Sequence, residues 1–490
     1  MSRATPLLSL FAATRAPRRA AAVLCCVLLS ACAVGPDYQR PALDVGEAFK
    51  EAQGPVDGWK PAQPRDTAER GPWWQVYGDA TLDGLMGQLN AANQTVAQAE
   101  ASYRQAQALV QGARAGFFPT VDAGAGATRA GGGSSATGTG VGNQYNLGGS
   151  ASWEIDLWGR VRRQVEASRA EAEASLADLA NVRLSAQSAL AQNYFQLRIL
   201  DEQKRLLEAT VKAYERSLQL TQNRYQAGVS GKGDVSVALA QLESARAQLV
   251  DLEWQRGQFE HAIAVLVGLA PSRFTLAALA WEQPLPNIPA GMPSELLERR
   301  PDVAAAERRT ASANAQIGVA QAAWFPDLVL SADGGFRSGE FAQWLTAPAR
   351  YWSLGPALAL TLFDGGARQS QLDQARAAYD AQAAAYRQTV LGALREVEDY
   401  LIQLRVMEKE QIVQRRALEA TRESLRLARN QYEAGLIGYL DVAVLETGAL
   451  NSERNALTLM GSRLAASVQL IAALGGGWEG VQAEAAAQRQ

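Results

Sequence analysis

The chain has 490 residues, with 47 Lys and Arg against 50 Asp and Glu and a formal net charge of −3. It lacks the basic surplus that a phosphate-backbone binder needs to release counterions, so nucleic acid is not an expected partner. One histidine, His261, and three cysteines, Cys25, Cys26 and Cys32, cannot assemble zinc-type ligand spacing or a disulfide framework, which excludes most familiar catalytic and metal-binding sets.

In chain order, Arg15, Arg18 and Arg19 precede the apolar run 20–29, the charged and hydrophobic regions of a secretory signal. That run is too short for a permanent membrane helix. It ends in Leu-Ser-Ala-Cys at 29–32, which resembles a bacterial lipobox, so Cys32 is expected to carry covalent lipid and to begin the mature chain. Cleavage there removes Cys25 and Cys26 and leaves no free thiol. Ala33, where an Asp would oppose it, fits sorting to the outer membrane. The alternative is an ordinary signal followed by an accidental cysteine.

A proline-rich segment, Pro36 to Pro72, reads as extended or wrapping chain. Next come a helix over Leu82–Ala115 and strands over Val121–Thr128 and Tyr145–Leu157. In the second strand Tyr145, Leu147, Ala151, Trp153, Ile155 and Leu157 alternate with Asn146, Gly148, Ser150, Ser152, Glu154 and Asp156. One face is apolar and the other wet, as in a membrane barrel. From Gly159 to Gln226 no proline or glycine interrupts an Ala-, Leu-, Gln- and Arg-rich stretch, which predicts a helix roughly 100 Å long. Its apolar positions, Leu190, Tyr194, Leu197, Leu207, Val211, Tyr214 and Leu218, form a seam for side-by-side packing. A helix over Asp234–Leu269 and a proline-rich connector, Pro271 to Pro293, follow.

The second part repeats this order: a helix over Ser294–Ala323, strands over Leu328–Phe336 and Trp352–Leu362, a long helix over Ala367–Glu433, and a helix over Asp441–Leu474. In Trp352–Leu362, Leu354, Leu358 and Leu360 oppose Ser353, Gly355, Ala359 and Thr361. The seam of the second long helix is Val390, Leu394, Val397, Leu401, Leu404, Leu418, Leu425 and Tyr432. Setting Tyr225 on Tyr432 gives an offset of 207 residues (432 less 225), which also pairs Gly228 with Gly435, Asp234 with Asp441, Gly268 with Gly475 and Pro119 with Pro326. The chain therefore reads as an internal tandem duplication. The expected segments are a signal peptide, 1–31; a lipid-anchored extended segment, 32–72; a first repeat, 73–270; an equatorial connector, 271–293; a second repeat, 294–475; and a tail, 476–490.

Beyond the signal no window of 18 apolar residues is evident, so any membrane span is expected to be made of strands. Four strands cannot close a barrel around a lumen, whereas three chains supply twelve and leave no open edge. The expected fold class is thus mainly α with a small β part: a trimeric outer-membrane β-barrel continuous with a long periplasmic α-helical barrel.

The sequence also resembles the TolC-type outer-membrane efflux factors, in particular their OprM-like, NodT-type lipoprotein branch. The marks are CAVGPDYQRP from Cys32, WWQVYGDATLDGLM from Trp73, GFFPTVDAGAGATR from Gly116, SWEIDLWGRVRRQVEAS from Ser152, LLERRPDVAAAERR from Leu296, QIGVAQAAWFPDLVLSADGGF from Gln316 and LFDGGARQ from Leu362. The resemblance spans the mature chain. It implies a homotrimeric channel in contact with outer-membrane lipid, coupled to a periplasmic adaptor and an inner-membrane pump of the resistance-nodulation-division class. It implies no enzyme activity and no cofactor beyond the lipid on Cys32.

A gate is expected at the far helical ends. Gly228, Gly231 and Gly233 precede Asp234, and Gly435 and Gly438 precede Asp441, so both aspartates are expected as N-caps of the returning helices. They would also form a negative ring. By resemblance Leu440 matches an apolar constriction, and Tyr432 a tyrosine that ties neighbouring helices shut. That branch continues with Asp-Ala-Gln-Arg, whereas residues 444–447 read Val-Leu-Glu-Thr, so the charged latch is expected to be missing. Leu440 packed between helices of its own chain is the other possibility.

Two other classes remain open. A structural coiled-coil envelope lipoprotein accounts for the helices and anchor but gives the alternating strands no purpose. An envelope enzyme would need a catalytic set; His261 reads as a packed or rim residue, and Glu396, Glu398 and Asp399 as solvated charges on a helix face.

Overall fold

The computed structural model describes residues 33–43, 49–51, 71–131, 141–279, 286 and 299–476. Cys32 and the signal lie outside them, as do most of the two proline-rich segments and the tail. The elements are helices α1 (Ala80–Ala92) and α2 (Gln94–Ala115), strands β1 (Thr120–Gly131) and β2 (Val141–Ile155), and helices α3 (Arg160–Gln226) and α4 (Lys232–Leu266). They continue with α5 (Pro301–Ala322), β3 (Asp327–Ser338), β4 (Arg350–Ala359), α6 (Ala367–Glu433) and α7 (Tyr439–Ala473). The bounds of α3 and α6 differ by the same 207 residues (367 less 160, 433 less 226), and so do those of α4 and α7, α2 and α5, and β1 and β3. The chain folds into two compact units, and each draws on both halves of the sequence: one holds Gln105–Glu173 and Glu307–Ala384 with the segment up to Pro41, the other Ala42–Arg104, Ala174–Ala306 and the rest from Ala385.

In the first unit the strands form one antiparallel sheet in the order β1-β2-β3-β4, with unbroken register. Because side chains alternate along a strand, the register collects Val121, Leu147, Trp153, Leu328, Leu330, Leu354 and Leu358 on one face. The opposite face carries Asp122, Asn146, Ser150, Glu154, Ser331, Asp333 and Ser353. Gly335 is required by close approach, since a Cβ there would stand 2.1 Å from the Leu147 carbonyl oxygen. The strands end at Ile155 and Ala359, short of the expected Leu157 and Leu362, because capped corners begin there. Asp156 accepts hydrogen bonds from the backbone N–H of Val161 and Arg162, both at 3.0 Å, and Asp364 accepts from Gly366 at 3.0 Å and Arg368 at 3.2 Å. Each aspartate neutralises orphan donors at the start of a long helix.

The N-terminal segment lies against this corner. Val34 donates its N–H to the Trp158 carbonyl at 3.0 Å, and Arg163 reaches the carbonyls of Val34 and Gly35 and the Asp37 carboxylate. Gly35, at φ +108°, passes so close to Gly318 that a Cβ on it would stand 2.5 Å from the Gly318 Cα.

In the second unit the core joins Trp73, Tyr77, Leu82, Leu89, Leu190, Tyr194, Leu197, Ile263, Leu464, Val468 and Ile471. Asp79 caps α1 through the N–H groups of Thr81 and Leu82 and accepts the Tyr194 hydroxyl at 2.5 Å. Burial, with Asp79 alongside, pushes that hydroxyl up to about 12.

Three expectations need correction. The helix over Leu82–Ala115 is two helices, because buried Asn93 is extended at ψ 122°; it donates to the Leu266 carbonyl and caps α2 by accepting the Val96 N–H. One helix, α7, is long and apolar enough to cross a membrane, contrary to the reading of the sequence, but half of that stretch is buried in the protein core. Glu396 and Glu398 are not merely solvated: Glu396 pairs with Arg300 at 2.8 Å, and Glu398 accepts the backbone N–H of Lys50 and Glu51. Of the two readings of His261, packed or rim, its exposure fits the rim.

Charged side chains hold the connecting segments in both halves of the chain. Arg198 and Arg256 donate to the carbonyls of Ala277 and Leu276, while Glu260 and Asp201 accept the N–H of Leu276 and Leu279. Arg405, at the repeat position of Arg198, pairs with Glu51. The connector at 276–279 is thus held through its backbone by charged side chains of α3 and α4, and the segment at 49–51 by Glu398 through its backbone and by Arg405 through the Glu51 side chain.

Candidate functional site

The two helix-ending turns are built alike. After α3, Gly228 donates to the Tyr225 carbonyl and Val229 to that of Arg224; after α6, Gly435 donates to Tyr432 and Leu436 to Gln431, all at 2.9 Å. Both glycines sit at φ +75°, the left-handed conformation this termination needs. The returning helices are capped by Gly231 and Gly438 without side-chain bonds, so Asp234 and Asp441 are not the N-caps expected. They occupy the first helical turn, where a negative charge still favours the helix dipole. Asp234 accepts the Ser230 hydroxyl at 2.9 Å, and Asp441 is exposed.

The side chains differ sharply between the turns. Tyr432 is 5% exposed, and its hydroxyl lies 3.1 Å from that of Thr221 on α3. Arg224 donates to the Tyr432 carbonyl at 2.8 Å and lies over its ring, 4.7 Å from the centroid. Tyr432 packs edge-on to Tyr439, whose hydroxyl reaches both Gln241 on α4 and Glu446 on α7 at 3.2 Å. Glu446 is 2% exposed and takes two bonds from Arg429 on α6, at 2.8 and 3.2 Å. Burial, reinforced by the negative charge of Glu446, pushes the Tyr439 hydroxyl well above its ordinary range. All four helices of this end are therefore tied together by one polar cluster.

Sequence reasoning missed that cluster and read residues 444–447 as lacking a charged latch. An ion pair is present, but it joins Glu446 to Arg429 within the chain. The signal was available: Glu446 falls among Val442, Ala443, Ala449 and Leu450 at helical spacing, and a carboxylate on a buried face demands a partner.

Leu440 lies between buried Tyr439 and Val442 yet is 59% exposed, so most of its side chain is left uncovered by its own chain. Val444, one helical turn on, is 63% exposed, and Leu436 in the preceding turn is 75% exposed, so exposed apolar side chains gather at this end. Cys32 lies outside the described residues, but Ala33, its neighbour, touches Gly159 at the corner after β2. No group of three or more His, Cys, Asp or Glu able to hold a metal occurs among the described residues.

A family model described as outer membrane efflux protein matches residues 85–269 and again 292–476. The probable efflux pump outer membrane protein TtgC of Pseudomonas putida is 31% identical over 460 residues, covering 92% of this chain and 94% of that protein. The pyoverdine export outer membrane protein OpmQ of Pseudomonas aeruginosa is 31% identical over 469 residues, covering 93% and 96%. Among solved structures, the outer-membrane channel OprN matches with a TM-score of 0.82 at 32% identity, covering 91% of this chain and 100% of that one. Channels of this kind combine a β-barrel in the outer membrane with a helical barrel reaching into the periplasm, as trimers working with an adaptor and an inner-membrane pump. The chain belongs to the outer membrane efflux protein family and is the outer-membrane channel component of a tripartite export system, not an enzyme.

Proposed function

We propose that the channel closes at its periplasmic end on a ring of three Leu440 side chains, one from each chain, which excludes water and ions by dewetting. The observation that carries this is the 59% exposure of an apolar residue on a backbone pinned by buried Tyr439 and Val442. A fixed helix presenting an uncovered leucine suits a constriction completed by symmetry. Tyr432 holds α6 to α3 behind the ring, and Asp234 and Asp441 add a negative collar that favours cations. The cargo we propose is small organic molecules, the class to which the toluene and pyoverdine named for its relatives belong.

Conductance tests the ring. Leu440→Ala is expected to raise single-channel conductance in planar bilayers and to sensitise cells to large antibiotics, with the trimer intact. Loss of trimer without a rise in conductance would make Leu440 a packing residue. No change in either would move the constriction to 229–234.

The anchor is also a proposal. Cys32 is lipidated, and the contact of Ala33 with the corner after β2 supports it, since acyl chains there would enter the leaflet nearest the helices. Mass spectrometry of the mature protein should find lipid on Cys32 and nothing before it; retention of residues 1–31 would refute this.

A further inference from the structure

The apolar face of the sheet, the one suited to lipid, carries its charge in one place and of one sign. The register assigns to that face every second residue: 121–131 of β1, 141–155 of β2, 328–338 of β3 and 350–358 of β4. Among these strand residues the only charged ones are Arg129 and Arg350, and no acid shares the face. Both are exposed, and neither has an ion pair among the described residues. Both stand at the loop end, away from the helices: Arg129 is eight residues from Val121, and Arg350 eight from Leu358. Eight residues span about 26 Å along a strand, or about 20 Å of height at a typical tilt, which reaches the border of an apolar band about 25 Å tall.

Aromatic side chains mark the same level. Tyr145, on the apolar face, packs against Phe341 and Trp344 of the β3–β4 loop, with ring centroids 5.4 and 5.9 Å away. Such a girdle lies where acyl chains give way to headgroups. An unpaired guanidinium at that border is costly unless an anion meets it, and its planar fork suits phosphate. The helices mark the periplasmic side, so this border faces the outer leaflet, which bacteria build from phosphorylated glycolipid. From this geometry we infer that Arg129 and Arg350 bind the phosphates of lipid A, giving the trimer six guanidinium contacts with the outer leaflet. The inference is independent of how the periplasmic end closes.

Arg337 supplies an internal control. It stands at the same end of β3 but on the opposite, lumen-facing side, over the Tyr351 ring at 4.6 Å. Native mass spectrometry of purified trimers, titrated with bisphosphorylated lipid A and with the same lipid stripped of phosphate, gives the test. The wild type is expected to prefer the phosphorylated form by about tenfold or more, the scale of a charged hydrogen bond. R129Q/R350Q should lose that preference, R129K/R350K should keep most of it, and R337Q should leave it unchanged. Equal binding of the two lipids by the wild type would overturn the inference. So would a preference that survives in R129Q/R350Q, or one lost equally in R337Q. If the glutamine pair fails to assemble, the wild-type comparison of the two lipids still decides.

Discussion

The turn after α3 and the turn after α6 have the same backbone and opposite surroundings. Both end a long helix on a glycine at φ +75° and start the next on a glycine cap. Yet Tyr225 is 46% exposed where Tyr432, its counterpart 207 residues on, is 5% exposed. Lys232 stands where the second turn has Tyr439, Gly233 where it has Leu440, and exposed Leu239 where it has buried Glu446. The glycine pattern is therefore a property of the reversal alone. Side chains at equivalent positions decide that the second turn is tied to the helices around it and also presents an uncovered leucine.

The comparison breaks most easily at the tyrosines. Tyr432→Ala should cost about 3 kcal/mol or more, by loss of a buried ring and of its bond to Thr221, whereas Tyr225→Ala should change stability by no more than about 0.5 kcal/mol. Trimer dissociation in urea or on heating measures both; equal effects would remove the asymmetry. Glu446→Gln comes next. Arg429 is 43% exposed and can turn to water, so the loss should be about 1–2 kcal/mol, below that of a fully buried pair. Leu239→Gln, at the equivalent exposed position, should be nearly neutral.

Alkaline pH sharpens the contrast further. The buried hydroxyls of Tyr194 and Tyr214 are pushed up to about 12, and that of Tyr439 is raised as well, from an ordinary value of 10.0. A raised value means the unfolded chain gives up its proton first. The stability from these groups is complete below pH 10 and declines as pH rises through about 12. Tyr439→Phe should reduce the decline seen between pH 10 and 12; an unchanged profile would show that Tyr439 does not contribute. The smallest effect belongs to Asp234→Asn and Asp441→Asn, each costing about 0.3–1 kcal/mol through the helix dipole. Together they should lower cation preference in bilayer recordings.

Much of the fold was legible because its signals are local. Alternation set the strands, and helix formers unbroken in α3 and interrupted only by Gly392 in α6 set the long helices, the second with both ends where the sequence places them. What was not legible depends on distant partners. Nothing around Asn93 marks a helix break until the Leu266 carbonyl is brought beside it. Asp234 and Asp441 looked like caps because they follow glycines, but two further residues enter the helix before them. The placement of Leu440 illustrates both sides: the repeat located its turn, but only the packing of Tyr439 and Val442 shows that its side chain is left uncovered.

Cross-linking tests the central claim most directly. If Leu440 forms the narrowest ring, cysteines at that position in adjacent chains come within disulfide reach, about 4.4–6.8 Å between Cα atoms. With the signal cleaved and Cys32 lipidated, no other thiol competes. Leu440→Cys should give covalent chain dimers on mild oxidation and lose conductance until reduced, while Gly233→Cys, at the equivalent place in the first turn, should remain largely uncross-linked. An intact Leu440→Cys trimer that does not cross-link, or Gly233→Cys cross-linking as readily, would contradict the account.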